Sequence, residues 1–160
     1  MTQEMKSVVD DLDQTVSSFL VKLNAFSPEE LRARPRPGKW SRLEVIGHLT
    51  DSAHNNLRRF ITGQYENSPP HIIYEQEFWV SANRYQEADP ESIISLWGLL
   101  NQRICAVLAN MPEANYQSQC DTGRGDATLH TLQWLAADYV KHLKHHLNQV
   151  IPGSYNVTYP

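Results

Sequence analysis

The chain has 160 residues, a formal net charge of −4 and an isoelectric point of about 5.9. A chain of this length can bury about 70% of its unfolded surface in one domain, so we expect residues 1–160 to form a single domain. The acidic balance and the lack of a basic stripe argue against nucleic-acid binding.

The two cysteines, Cys105 and Cys120, do not form a CxxC pattern. This spacing argues against a disulfide framework and a cysteine zinc knuckle, and it favours a reducing cytoplasm. The segment 1–14 is polar and acidic, without an apolar signal core. No uninterrupted apolar run approaches about 18 residues. We therefore expect a soluble cytoplasmic protein with no membrane partner.

The first half of the chain predicts two long helices and one short one. Apolar residues recur at spacings of three and four over residues 8–23, which is typical of an amphipathic helix. A capping box over residues 27–30 predicts a short helix, and the two prolines in residues 34–38 interrupt the chain. A second capping box predicts a helix over residues 41–61, with Gly63 as its stop.

The second half predicts two more long helices. Residues 74–85 look helical, and residues 90–111, capped by Asp89, carry an apolar stripe. The polar stretch 113–126 predicts a loop, and the last helix is expected from about 128 to 151. Strand patterns are absent from the sequence. Four amphipathic helices in so short a chain predict an all-α fold, a four-helix bundle.

Three histidines are the strongest functional signal. His142 and His146 are spaced i, i+4, which places two imidazoles on one helix face, one turn apart. His145 is the competing partner, but it points about 100° away from His146, towards the polar side. With His48 from another helix, this pair can hold a metal ion and leave one position open for water or substrate. That arrangement suits catalysis.

Each of these histidines also has a plainer interpretation. His48 lies outside the main apolar stripe of its helix, so it is either a solvated surface histidine or a ligand at an accessible cleft. Histidines near a helix C-terminus, such as His142 and His146, interact favourably with the helix dipole without binding anything. Imidazole ligands suit zinc, nickel, iron or copper, so the sequence does not select the metal. We expect zinc or nickel, with iron or manganese as alternatives.

Two polar residues lie one helical turn from these histidines. Asp51 follows His48 on the same arc, and it is a candidate to orient a ligand or to accept a proton. Its alternative interpretation is a solvated helix acid. Gln149 follows His146, and it is either a hydrogen-bond partner of a bound ligand or a polar residue at a helix end.

The motifs PGKWS, GHLTDS and YVKHLKHHLNQV, in this order, resemble the DinB-like (DinB/YfiT) superfamily of metalloenzymes. The segment YEQEFWV between them is similar to one subgroup, and the resemblance covers about residues 35–150. It implies a four-helix bundle in up-down-down-up connection, often a homodimer. It also implies a divalent metal held by three histidines, which match His48, His142 and His146 here.

The resemblance also implies an activity range. Some relatives are S-transferases or isomerases that use a low-molecular-weight thiol, and others resemble metal-dependent hydrolases. We therefore expect a metal-dependent thiol transferase or hydrolase of a small molecule; the alternative is a non-enzymatic, stress-associated dimer that binds a small ligand or a partner. Two positions depart from the family pattern: Ala53 replaces an acid of the HLxDSE run, and Gln149 replaces a histidine that some relatives carry.

Overall fold

A computed structural model describes residues 1–159 and confirms the predicted four-helix bundle. Its helices are α1 (Gln3–Leu23), α2 (Pro28–Arg32), α3 (Arg42–Thr62), α4 (Gln76–Asn83), α5 (Pro90–Asn110) and α6 (Leu132–Val150). Two short strands, β1 (Gln119–Asp121) and β2 (Leu129–Thr131), form an antiparallel hairpin. The four long helices, α1, α3, α5 and α6, form the bundle.

The long helices run up, down, down and up, as expected. Helices α3 and α5 are parallel neighbours, whereas α6 runs opposite to α3 and α1 runs opposite to α5. Three contacts establish these directions: Gln64 just after α3 with Asn115 just after α5, Arg42 at the start of α3 with Val150 at the end of α6, and the amine of Met1 with Glu113 just after α5.

The predicted helix boundaries are largely confirmed, because capping chemistry is local. Both capping boxes are complete, at Ser27 and at Ser41. Helix α3 ends at Gly63 and α5 begins after Asp89, whose side chain accepts a hydrogen bond from a backbone N–H of the first turn. The last helix begins later than predicted, because Thr131 caps it.

The predicted absence of strands is wrong for the segment before α6. Cys120 of β1 pairs with His130 of β2, and the hairpin packs on the end of α3, where the Cys120 thiol lies 3.6 Å from the carbonyl oxygen of Arg59. Strands of three residues are too short to show the alternation by which a strand is recognised. His130 therefore lies in a strand, and its ring stacks on Trp134.

Helix α5 is long and apolar enough to cross a membrane by length and composition alone, with a mean hydropathy of 1.4 over its best window. In the bundle, however, this helix packs between α1 and α3. Its side chains Trp97, Ile104 and Leu108 are fully buried in the core. Core helices of helical bundles pass the same test, although only 33% of this apolar stretch is buried and Leu96 and Leu99 are exposed.

Helix α3 is the central element of the molecule. Every residue from Leu43 to Ala53 is buried, because α5, α6 and the segment leading into α5 cover different sides of this helix. Tyr85 of that segment lies directly against Gly47, where an added Cβ would come within 2.1 Å of the Tyr85 ring. Close packing on α3 therefore needs glycine at this position.

Candidate metal centre

The structure brings the three predicted histidines together. His48 of α3 meets His142 and His146 of α6, and each residue offers a ring nitrogen within 4.8 Å of the others. The Nε2 atoms of His48 and His142 lie 3.4 Å apart, and the ring centroid of His146 lies 4.5 Å from each of the other two. His145, the competing partner in the sequence, is not part of the cluster.

The antiparallel packing of α3 and α6 explains why the histidines meet. Arg42 at the start of α3 donates a hydrogen bond to the carbonyl of Val150 at the end of α6. His48 lies six residues into α3, which is about 9 Å along the axis at roughly 1.5 Å per residue. His142 and His146 lie eight and four residues before Val150. The three side chains therefore reach the same level of the bundle.

The cluster consists of neutral imidazoles. Burial and, to a smaller extent, the neighbouring His146 lower the pKa of His48 to about 3. Burial also holds the pKa of His142 well below its usual range, and it lowers that of His146 despite the opposing effect of its hydrogen bond to the Gln149 amide oxygen. Neutral imidazole is the form that binds metal ions.

The donor geometry fits a metal ion. Two nitrogens that each lie about 2.0–2.1 Å from a common tetrahedral ion are separated by roughly 3.3 Å. The Nε2 atoms of His48 and His142 are 3.4 Å apart. Without an ion between them, two neutral imidazoles at this distance share at most one hydrogen bond. The residues present therefore suit a divalent ion held by nitrogen ligands.

Neighbouring polar groups orient two of the rings. The amide oxygen of Gln149 lies 3.1 Å from Nδ1 of His146, so it can accept the Nδ1 proton and leave the lone pair on Nε2. The Ser52 hydroxyl lies 3.4 Å from Nδ1 of His142. Such partners fix the tautomer and the orientation of metal-binding histidines. The Nδ1 atom of His48 is buried without a hydrogen-bond partner among residues 1–159.

The alternative interpretation of His48 and Asp51 as solvated surface residues is wrong. His48 has no exposed surface, and Asp51 is 4% exposed. Neither a solvated histidine nor a solvated helix acid is present, because α6 and the segment leading into α5 cover the polar face of α3. Solvent reaches the cluster at His146, which is half-buried and lines an open cleft.

Asp51 is held in a buried hydrogen-bond network. Its Oδ1 atom accepts hydrogen bonds from the Tyr85 hydroxyl at 2.6 Å and from the Asn83 amide at 3.3 Å. Its Oδ2 atom is buried without a partner among residues 1–159. Burial raises the pKa of Asp51 to about 6, with the Tyr85 hydrogen bond acting in the opposite direction. Asp51 makes no hydrogen bond to the histidines, so its catalytic role stays a prediction.

Two cavities meet the cluster, and most of their other lining residues were not predicted. The outer cleft, of about 560 Å³, borders His146, and the inner cavity, of about 130 Å³, borders His142. The outer cleft has a polar lining that includes Arg36, Lys39, Glu77 and Gln149. The inner cavity has a polar lining that includes Ser52, Arg59, Tyr74, Asp138 and Tyr159. Ser52 and Arg59 share the helical arc of His48 and so could be found from the sequence. Glu77 and Tyr159 reach the site only through the tertiary fold.

Comparison with known proteins gives consistent sequence matches. The sequence profile of the DinB superfamily matches residues 11–150. The chain is similar to a protein of Geobacillus thermodenitrificans named "putative metal-dependent hydrolase", with 27% identity over 93% of this chain and 82% of that protein. YfiT of Bacillus subtilis carries the same description, with 24% identity over 87% of this chain and 78% of YfiT.

Solved structures show the same fold. YfiT from Bacillus subtilis, described as a probable metal-dependent hydrolase with an unusual four-helix bundle topology, matches with a TM-score of 0.82 and 23% identity over 94% of this chain and 86% of YfiT. A mycothiol-dependent maleylpyruvate isomerase matches with a TM-score of 0.69 and 13% identity. This chain spans 62% of that isomerase. At these identities the likeness concerns the fold alone.

Proposed function

Because this chain belongs to the DinB superfamily, we propose that it is a metal-dependent hydrolase of a small molecule, with His48, His142 and His146 as the metal ligands. The observation that carries this proposal is the convergence of three neutral imidazoles from two helices within 4.8 Å. The names of the bacterial relatives support the hydrolase assignment.

The donor set favours a catalytic site over a structural one. Three protein ligands leave one position of a tetrahedral ion open, whereas structural sites are closed by four. When bound, a divalent ion held by neutral ligands supplies Lewis-acid chemistry, since it lowers the pKa of a bound water and polarises a carbonyl. We propose zinc or nickel, because both metals suit imidazole ligands; iron and manganese are the alternatives.

The protein's own residues would bind the substrate and shield the reaction. The outer cleft leads to His146, and Arg36 and Lys39 line it. The Trp40 ring lines the cleft and lies 5.2 Å from the ring of His48. Gln149 would keep the His146 ring in its orientation.

Asp51 is the proposed proton acceptor. Its Oδ2 atom is buried and free of hydrogen bonds within residues 1–159. Its pKa of about 6 is near the value that suits a general base in an enzyme working close to neutral pH. A carboxylate of ordinary pKa would be a weaker base by roughly two powers of ten.

Thiol-dependent transfer is the second candidate, and the outer cleft favours it. Arg36 and Lys39 line the same cleft as His146, and their positive charges suit a negatively charged thiol co-substrate. The chain cannot supply that thiol itself, because Cys120 is fully buried and burial raises the pKa of Cys105 to about 11. The isomerase that shares this fold is mycothiol-dependent, which is consistent with an external thiol.

An activity screen with metal reloading tests both candidates. Protein purified without a histidine tag would be stripped, reloaded with zinc or nickel, and assayed against esters, amides and thiol–electrophile pairs. We expect activity that follows metal content, is lost in His146→Ala and is retained in the neighbouring control His145→Ala. Turnover without thiol supports the hydrolase, and a strict need for thiol supports the transferase. Inactive metal-loaded protein would contradict both and favour a non-enzymatic ligand-binding bundle.

A further inference from the structure

The inner cavity is a built polar chamber beside the proposed metal centre. One face of α3 contributes Ser52, Asn56 and Arg59 to its wall. One face of α6 contributes Asp138 and His142. Tyr74, which precedes α4, and Tyr159, near the end of the chain, complete the wall. The cavity is separate from the outer cleft, and the two share no lining residue.

Arg59 brings a positive charge to this cavity. Its Nε and Nη2 atoms donate hydrogen bonds to the carbonyl of Ile72 at 3.1 and 2.7 Å, and Nη1 donates to the Asn56 amide oxygen at 3.3 Å. A guanidinium has five N–H groups, so one N–H on each terminal nitrogen has no partner within residues 1–159. Across residues 1–159, no carboxylate lies within ion-pair distance of Arg59.

The acid in the cavity wall is compensated by other groups. The Asp138 carboxylate accepts a hydrogen bond from the Tyr159 hydroxyl at 3.1 Å. His130, Lys141 and Arg59 also act on it, and all three lower its pKa against the effect of burial. Arg59 is desolvated, and burial is the main cause that lowers its pKa, while Tyr74, Cys120 and Asp138 act in the opposite direction. Within residues 1–159 the cavity therefore presents a cation with no carboxylate at ion-pair distance, together with the hydroxyl groups of Ser52 and Tyr74.

We propose that the inner cavity binds the carboxylate group of a small organic acid, with Arg59 as the anchoring cation. Two parallel N–H donors of a guanidinium match the two oxygens of a carboxylate. A volume of about 130 Å³ equals roughly four water molecules in the liquid, which is enough for a carboxylate and one or two attached carbons. The rest of a longer acid would lie against His142. This role in substrate recognition rests on the proposed function, and it makes carboxylates the substrate or product class.

Acetate is the direct probe, and acetamide is its uncharged match in shape. Both would be titrated into metal-free and zinc-loaded protein at constant ionic strength, with binding followed by calorimetry and by chemical-shift changes. We expect saturable acetate binding in the metal-free protein and no acetamide binding. Arg59→Gln should weaken acetate binding at least about tenfold, because it removes a charge-assisted pair. Arg58→Gln, at the exposed neighbouring position, should not change it.

A second variant separates recognition from folding, because Arg59 also supports the backbone at Ile72. Arg59→Lys keeps the charge but loses the two-pronged geometry, so it should retain part of the acetate affinity that Arg59→Gln loses. Equal binding of acetate and acetamide, or an acetate affinity that Arg59→Gln leaves unchanged, would overturn the inference. Zinc binding without acetate binding would refute this inference alone, whereas acetate binding without zinc binding would refute the proposed function.

Discussion

Asp51→Asn should change how stability depends on pH. The pKa of Asp51 rises from 3.8 to about 6 on folding, because the carboxylate is buried. The folded protein therefore holds a proton that the unfolded chain releases between these values, and stability falls as the pH rises through this window. The difference is about 2 pH units at about 1.4 kcal/mol each, or about 3 kcal/mol. Asn cannot ionise, so the variant lacks this loss. Between pH 3.5 and pH 7 its unfolding free energy should rise by about 3 kcal/mol relative to that of the wild type.

Urea unfolding of metal-free protein from pH 3.5 to 8 measures this gain. The test compares how the unfolding free energy changes with pH. Its value at a single pH is not used, because the Asn amide is buried where Oδ2 has no partner and this shifts the unfolding free energy equally at every pH. Asp126→Asn, at an exposed position, is the matched control and should show no gain. If the difference in unfolding free energy between the wild type and Asp51→Asn stays constant across this range, burial does not disfavour the ionised form of Asp51 and the reasoning is refuted.

Two further variants test packing and ligand orientation. Gly47→Ala should lose about 1–3 kcal/mol of unfolding free energy, because the new methyl group would overlap the Tyr85 ring. The control Gly125→Ala, where the new methyl group has open space, should unfold in urea like the wild type. Equal losses in the two variants would contradict the close packing. Gln149→Ala should weaken metal affinity by about 10–100-fold, because the ring of His146 loses its hydrogen-bond partner. Competition with a coloured chelator measures this affinity, and an affinity equal to that of the wild type would count against the orienting role of Gln149.

The parts of the fold that depend on local chemistry were predictable from the sequence. The caps at Ser27, Ser41 and Asp89 form as expected, because each involves residues only a few positions apart. The choice of His146 over His145 as the partner of His142 follows from helix geometry alone. The up-down-down-up connection came from the family resemblance, since helix periodicity does not report the direction of neighbouring helices.

The burial of the α3 polar face was not predictable from its own sequence. Periodicity identifies one apolar stripe, and His48 and Asp51 lie outside it. In the fold, α6 covers His48, and Tyr85 covers Asp51 with a hydrogen bond. Arg59 and Tyr159 meet at the inner cavity although they are 100 positions apart in the sequence. The homodimer and the cytoplasmic location stay predictions; light scattering of the purified protein would test the first.

Metal content is the most direct test of the three-histidine centre. Protein purified without a histidine tag, then exposed to zinc or nickel and desalted, would be measured by elemental mass spectrometry. The proposed centre predicts one ion per chain, near-zero metal in His142→Ala, and full metal in His145→Ala, whose imidazole lies outside the cluster. A wild-type protein that retains no metal, or variants at positions 142 and 145 that lose metal equally, would contradict it.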